Sequence, residues 1–281
     1  MASESSPRVT VIVPCYNDGP LMIEAVDSID EDEPVDVLVV DDCSDDPETI
    51  RAFEQLDPGH TTVIHQERNE GLAVARNTAL AHARTPYVFP LDADDLLMPG
   101  ILRKMADKLD ADPDVAVCFG DYLEFGEQQL VRAVPPDLDA YRLAYVNEYP
   151  VSSLFRRQDL LAIGGWQKDT PGYEDWNLWL TLVEHGHRGV HLGPGVVTYR
   201  RRLHGERLLT RAKRQHRSHY RQIRAAHPGV FRELGRHRKA SDLAAHRKLL
   251  YPIVYGSRPR FAFERPIKRW LDRAGVWTLR R

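Results

Sequence analysis

The sequence predicts an α/β protein: a mostly parallel sheet flanked by helices, followed by a basic helical C-terminal extension. Three observations carry this. Short apolar runs alternate with helix-period segments through the first 120 or so residues, the pattern of a parallel sheet covered on both faces. Three of the apolar runs end directly in acidic or polar residues, as in open sheets whose ligand lies beyond the carboxyl ends of the strands. Finally, the net charge of −3 hides an asymmetry. Residues 1–199 sum to −22 and residues 200–281 to +19, so the tail faces an anionic partner or folds back on the acidic body.

The elements follow in order. Val9–Val13 reads as a buried strand ending at Pro14, and Leu21–Ile29 has helical spacing. Val35–Val40 is a second strand, closing in Asp41-Asp42-Cys43-Ser44-Asp45-Asp46, and Pro47 suits the first turn of a helix to about Leu56. Thr61–Ile64 is a third strand, and Gly71–Ala83 a helix with Leu72, Ala75, Ala79 and Leu80 on one face. Tyr87–Leu91 is a fourth strand, Pro99 opens a helix, and Val115–Phe119 is a fifth strand. The pattern weakens over 135–150, which reads as a loop. Val151–Phe155 reads as a short strand and Tyr173–Glu184 as a helix. Val190–Leu192 and Val196–Tyr199 read as a strand pair around Gly193-Pro194-Gly195. The three cysteines (Cys15, Cys43 and Cys118) have no metal-type spacing and are expected to be reduced, buried residues of a cytosolic protein. No leader pattern is visible, and no apolar stretch is long enough to cross a membrane.

The chemistry starts at Leu91-Asp92-Ala93-Asp94-Asp95. Three carboxylates in four residues repel one another, and a hard divalent ion, Mg²⁺ or Mn²⁺, resolves that conflict while sharing ligands with substrate phosphates. Alone, the stretch reads equally well as a solvated turn with a helix cap. In company with the other strand ends it predicts a nucleotide site. Asp42 can accept from a base N–H, with Pro14 and Tyr16 against the nucleotide, Asp92 can hold ribose hydroxyls, and Asp94 can bind the metal. Asp45 reads as turn or cap chemistry. Arg76, behind Gly71 at a helix start, is expected to take anionic charge. In Gly172-Tyr173-Glu174-Asp175-Trp176, a carboxylate at a helix start beside aromatics can act as a general base. His204 follows the last strand and is a further metal or diphosphate candidate.

These blocks (Val9 to Asn17, Val39 to Asp45, Asn69 to Asn77, Leu91 to Asp95 and Tyr173 to Trp176) resemble, in order, the successive motifs of family 2 glycosyltransferases with the GT-A fold. The resemblance spans roughly residues 8–205. It implies a nucleotide-sugar-binding and catalytic domain over 1–205 and an uncovered basic extension over 206–281. It also implies an inverting sugar transfer from a nucleotide diphosphate donor, a UDP-sugar, assisted by Mg²⁺ or Mn²⁺. By the same resemblance Asp42 reads the base, Asp92 the ribose and Asp94 the metal, with His204 near metal or diphosphate. Asp175 is then the catalytic base, with Glu174, Trp166 and Trp176 near donor or acceptor. The Q-x-x-R-W block of processive synthases is absent, which favours single additions to a glycan or lipid-linked acceptor. The rival enzyme, a nucleotidyltransferase making sugar nucleotides, wants a Gly-rich basic loop after the first strand, where this chain has Pro14-Cys15-Tyr16-Asn17-Asp18-Gly19. A non-catalytic sugar-nucleotide-binding module would lack a base like Asp175.

The extension carries one further pattern. Ile267, Trp270, Leu271 and Ala274 share a helical face, with Lys268, Arg269 and Arg273 turned away from it. That is a membrane-surface pattern, and it equally fits a helix docked on the acidic body or on a second subunit of a homo-oligomer. The expected setting is cytoplasmic, with peripheral membrane association through this tail. No nucleic-acid partner is expected.

Overall fold

The computed structural model describes residues 6–204 and 216–255. A seven-stranded sheet forms the centre, in the order β10-β6-β9-β4-β1-β2-β3. Its strands are β1 (Val9–Cys15), β2 (Val35–Asp41), β3 (Thr61–His65), β4 (Tyr87–Pro90), β6 (Val115–Phe119), β9 (Leu154–Arg156) and β10 (Arg188–His191). All are parallel except β9, which runs antiparallel between β4 and β6. A second sheet, β5-β11-β7-β8, is built from β5 (Leu96–Leu97), β7 (Asp121–Gly126), β8 (Leu130–Arg132) and β11 (Val197–Leu203).

Every residue of β1 is buried, as befits a central strand covered on both faces. Its alternate side chains feed two different cores. Val9, Val11, Val13 and Cys15 pack with helices α1 (Gly19–Asp27), α2 (Pro47–Phe53) and α4 (Ile101–Asp110). Ile12 faces the other way, toward α3 (Leu72–His82), α6 (Arg157–Ala162) and α7 (Glu174–Glu184). β1 runs two residues past its expected end, with Pro14 inside it. Pro14 shares the parity of Ile12, whose carbonyl accepts from the Leu91 amide on the β4 side. The missing N–H of Pro14 therefore points where β4 has already ended, and no ladder bond is lost.

The expected strand pair at 190–199 is corrected. β10 pairs with β6, whereas β11 lies between β5 and β7 in the second sheet. A single residue, Gly120, separates β6 from β7, and the whole β6–β7 ribbon bends from one sheet into the other alongside β10–β11. A Cβ at Gly120 would lie 2.4 Å from Thr198 Cγ2 and 2.9 Å from the Val196 carbonyl, so the bend depends on glycine there. The stretch read as a loop contains a single helical turn, α5 (Ala140–Leu143), capped by Asp139, which accepts from the Tyr141 and Arg142 amides. The cap of α2 is Asp46, which accepts from Thr49 N, while Asp45 accepts from the Asn17 side chain. All three cysteines are free, but Cys43 is half-buried rather than buried.

The described part of the extension forms α8 (His216–Ala226), α9 (Pro228–Arg232), α10 (Leu234–Ala240) and α11 (Ala245–Tyr255). Tyr220, Ile223 and Val230 join the core on the α7 side, and Tyr220 Oη donates to the Ala144 carbonyl at 2.7 Å. Tyr251, Val254 and Leu243 pack on Tyr141. The apolar stripe at 267–277 lies outside the described residues. Among the described residues, no helix is long and apolar enough to cross a membrane.

Candidate functional site

The carboxyl ends of β1, β2 and β4 and the N-termini of α3 and α7 open on one cleft of about 1020 Å³. Pro14, Tyr16, Asp42, Arg76, Asp92, Asp94, Glu174, Asp175, Trp176 and His204 all line it. The convergence expected from the strand-end pattern is therefore present. Trp166 does not line the cleft. It is buried behind the site, with the Arg76 guanidinium 5.8 Å from its ring.

At one end, Tyr16 is the exposed wall and Asp42 the buried floor. Both Asp42 oxygens already accept from backbone, Oδ1 from Glu70 N and Oδ2 from Gly71 N, each at 2.8 Å. Gly71 sits at φ 90° as the N-cap of α3, a conformation that favours glycine. The carboxylate is thereby locked at the helix entrance, with lone pairs left to accept from a ligand. Asp41, by contrast, is spent on the fold, accepting from Ser44 N and bonded to His65.

In the middle, Asp92, Asp94 and Asp95 bring ligand oxygens within 4.8 Å of one another. Burial raises the Asp94 carboxyl above its usual range, helped by Asp92. Burial, then Asp94 and Asp92, pushes Asp95 well above its usual range. Asp18, also in the cleft, is raised by its own burial and by Asp94. His204 Nε2 lies 3.0 Å from Asp94 Oδ2. Carboxylate oxygens supplemented by one imidazole suit Mg²⁺ or Mn²⁺, and an ion would relieve the crowding that raises these groups. The donor set fits.

Arg76 departs from its expected role. Its side chain is completely buried and holds two carboxylates, Asp92 Oδ1 at 2.6 Å and Asp175 Oδ1 at 2.8 Å. Its Nε is buried without a partner. Arg76 is thus a strut between the residue expected at the ribose and the expected base, with its charge already met by two carboxylates. Asp175, raised by burial and opposed by Arg76, keeps its second oxygen for the cleft.

Beside it, burial pushes Glu174 up to about 7, with Asp175 adding to the rise. Glu174 Oε2 is buried without a partner. A carboxyl whose folded pKa exceeds its unfolded one favours the protonated fold. The resulting cost to stability is absent below about pH 4.5, grows as pH rises toward 7, and is complete above that. Glu174→Gln is therefore expected to stabilise the fold by on the order of 2 kcal/mol at pH 8, with the gain vanishing near pH 4.5. Urea unfolding at the two pH values checks this; an equal effect at both would mean that Glu174 ionises at no cost.

Sequence reasoning missed several lining residues: Asn69, Tyr122, Tyr145, Tyr199 and Arg201. The available signal was the alternation of β11, which puts Tyr199 and Arg201 on one face and Arg200 and Arg202 on the other.

Residues 10–155 match the family described as Glycosyl transferase family 2. Succinoglycan biosynthesis protein ExoO of Rhizobium meliloti is 36% identical over 112 residues, 39% of this chain and 32% of that protein. The chain thus spans about a third of that relative, and its match to the uncharacterised protein y4gI of Sinorhizobium fredii covers only 21% of y4gI. Among solved structures, S. aureus TarS 1–349 in complex with UDP gives a TM-score of 0.66 at 17% identity, covering 96% of this chain and 80% of that one. The mannosyltransferase PcManGT from Pyrobaculum calidifontis, in complex with GDP-Man and Mn²⁺, gives 0.59 at 25% identity, covering 97% and 84%. The fold is GT-A.

Proposed function

Because the chain belongs to glycosyl transferase family 2, we propose that it transfers a sugar, with inversion, from a nucleotide diphosphate donor to an acceptor hydroxyl in glycan or glycolipid assembly. One observation carries the reading. A single cleft joins a base-reading carboxylate, Asp42, to the acidic trio and to Asp175, and one buried arginine ties Asp92 to Asp175.

Each residue then has a physical task. Asp42, fixed by two amides, accepts from a base N–H while Tyr16 packs on the ring. Asp92 has one oxygen on Arg76 and offers the other to a ribose hydroxyl. Asp94 and His204 would hold Mg²⁺ or Mn²⁺, which when bound would supply a Lewis acid for the leaving diphosphate. Asp175 accepts the proton of the acceptor hydroxyl as that oxygen attacks the anomeric carbon opposite the diphosphate. Burial makes Asp175 a stronger base, and Arg76 keeps it ionised and oriented. Configuration inverts because no carboxylate is needed as a nucleophile. The acceptor enters on the side of Tyr145 to Val151 and Trp176, which line the same cleft as the base.

The donor is proposed to be a UDP-sugar. A thermal-shift panel of UDP, GDP, dTDP and CDP with Mn²⁺ tests this. A ligand at 100 times its Kd adds about 2.7 kcal/mol of stability, so UDP should shift the melting temperature most. A larger shift with GDP would reassign the base, and no shift with any would remove the nucleotide-sugar reading. Turnover of the selected donor then separates an enzyme from a binding module, and release of nucleoside diphosphate rather than pyrophosphate separates it from a nucleotidyltransferase.

A further inference from the structure

With the charge of Arg76 met by Asp92 and Asp175, a second cation in the cleft would be better placed to meet phosphate charge. Three arginines stand in a row on β11, and their surroundings separate them. Arg200 turns away from the cleft, its guanidinium 4.4 Å from the Phe125 ring. Arg202 borders the cleft, but it also stacks on Phe125, at 4.8 Å, and is committed to the Glu24 carboxylate at 2.5 Å and the Asp94 carbonyl at 3.0 Å. Arg201 lines the cleft. Its guanidinium lies 5.9 Å from the Tyr122 ring, and that ring is itself stacked on buried Tyr199 at 5.3 Å. The aromatic pair thus gives the guanidinium a rigid support.

Arg201 is in no ion pair among the described residues, although carboxylates surround it. Asp95 and Glu124 act on it through space, yet both are engaged elsewhere. Asp95 Oδ1 accepts the Arg202 amide at 2.9 Å, and Glu124 Oε2 accepts from Arg132 and Gln128. Asp175 also senses the Arg201 charge while bonded to Arg76. The guanidinium therefore borders the cleft in the field of Asp95 and Asp175, hydrogen-bonded to the Tyr122 hydroxyl and in no ion pair with a carboxylate among the described residues. Its surroundings keep the guanidinium ionised, and the N–H groups not used by Tyr122 can donate to an anion in the cleft.

We propose that Arg201 binds the donor's diphosphate and is the protein's own cation for the leaving group. This rests on the nucleotide-sugar reading above. A guanidinium offers paired N–H donors that match phosphate oxygens. As the anomeric bond breaks, the bonding pair stays with the diphosphate oxygen and its negative charge grows. A fixed cation already facing that oxygen stabilises the transition state more than the ground state.

Titration calorimetry in EDTA, with UDP, uridine and inorganic pyrophosphate as probes, isolates this contribution from that of a metal. Wild type should bind UDP at least about 10-fold more tightly than uridine without metal. Arg201→Gln should lose that advantage and bind pyrophosphate correspondingly less, with uridine affinity unchanged, and Arg201→Lys should recover part of it. With Mn²⁺ restored, Arg201→Gln should slow release of UDP from the donor by about 10²-fold, the scale of losing one oxyanion donor. An Arg201→Gln protein that keeps the full preference of UDP over uridine overturns the proposal, as does a wild type that shows no such preference in EDTA. Equal losses for UDP and uridine assign Arg201 to structure instead. A wild type that binds none of the nucleotides, with or without Mn²⁺, overturns the nucleotide-sugar reading itself, a result distinct from the others.

Discussion

Asp175→Asn is expected to slow transfer by at least about 10²-fold, the usual scale for loss of a general base, with donor affinity close to wild type. The substitution is nearly isosteric. It leaves an amide oxygen for the 2.8 Å contact with Arg76 and removes the capacity to accept the acceptor proton. Water can serve as the acceptor in the assay, so donor hydrolysis reports the step before any acceptor is identified. Kinetics and calorimetry separate the two quantities: the loss should fall on kcat, while the donor's Kd stays within a few-fold. A secondary cost is foreseeable. Arg76 would retain Asp92 as its only charged partner in hydrogen-bonding contact, and a buried cation with less compensation lowers stability. A melting curve run beside the kinetics corrects for that. Unchanged turnover would remove Asp175 from the mechanism.

Much of the site was legible because its residues lie where the chain announces them. Asp42 and Asp92 follow apolar runs directly, so predicting strands there also predicted the mouth of a cleft, and a parallel sheet puts all such mouths on one edge. What escaped was set by tertiary partners. Arg76 lies in the second turn of a helix that starts behind Gly71, a location that suggests an anion site, and nothing local reveals that two carboxylates from elsewhere, Asp92 and Asp175, would pair with it. Trp166 has the composition of a substrate wall and is instead the backing of that arginine. The strand pair at 190–199 followed from the Gly193-Pro194-Gly195 turn. The actual partners of β10 and β11 are β6 and β7, some 70 residues earlier, and the bend at Gly120 that splits them between two sheets is decided by a contact with Thr198. β7 and β8 expose part of each face, so they lack the apolar run that marked the central strands.

Asp94→Ala is expected to abolish transfer and to remove the metal-dependent part of diphosphate binding, because Asp94 and His204 are the pair that would hold the ion against the donor. The variant also has a metal-free signature that a merely damaged protein would not give. Asp94 helps raise the carboxyls of Asp95 and Asp18 above their usual range. Deleting it removes a like charge from both, so without metal the variant should be no less stable than wild type at a pH where these carboxyls are ionised, despite losing the 3.0 Å contact with His204. Adding Mn²⁺ should raise the melting temperature of wild type and leave that of the variant unchanged, since only a protein that binds the ion in its folded state is stabilised by it. Calorimetry with UDP, with and without Mn²⁺, completes the test. Wild type should gain affinity with the metal and Asp94→Ala should not. Equal, metal-independent UDP affinity in both proteins would take the metal away from Asp94.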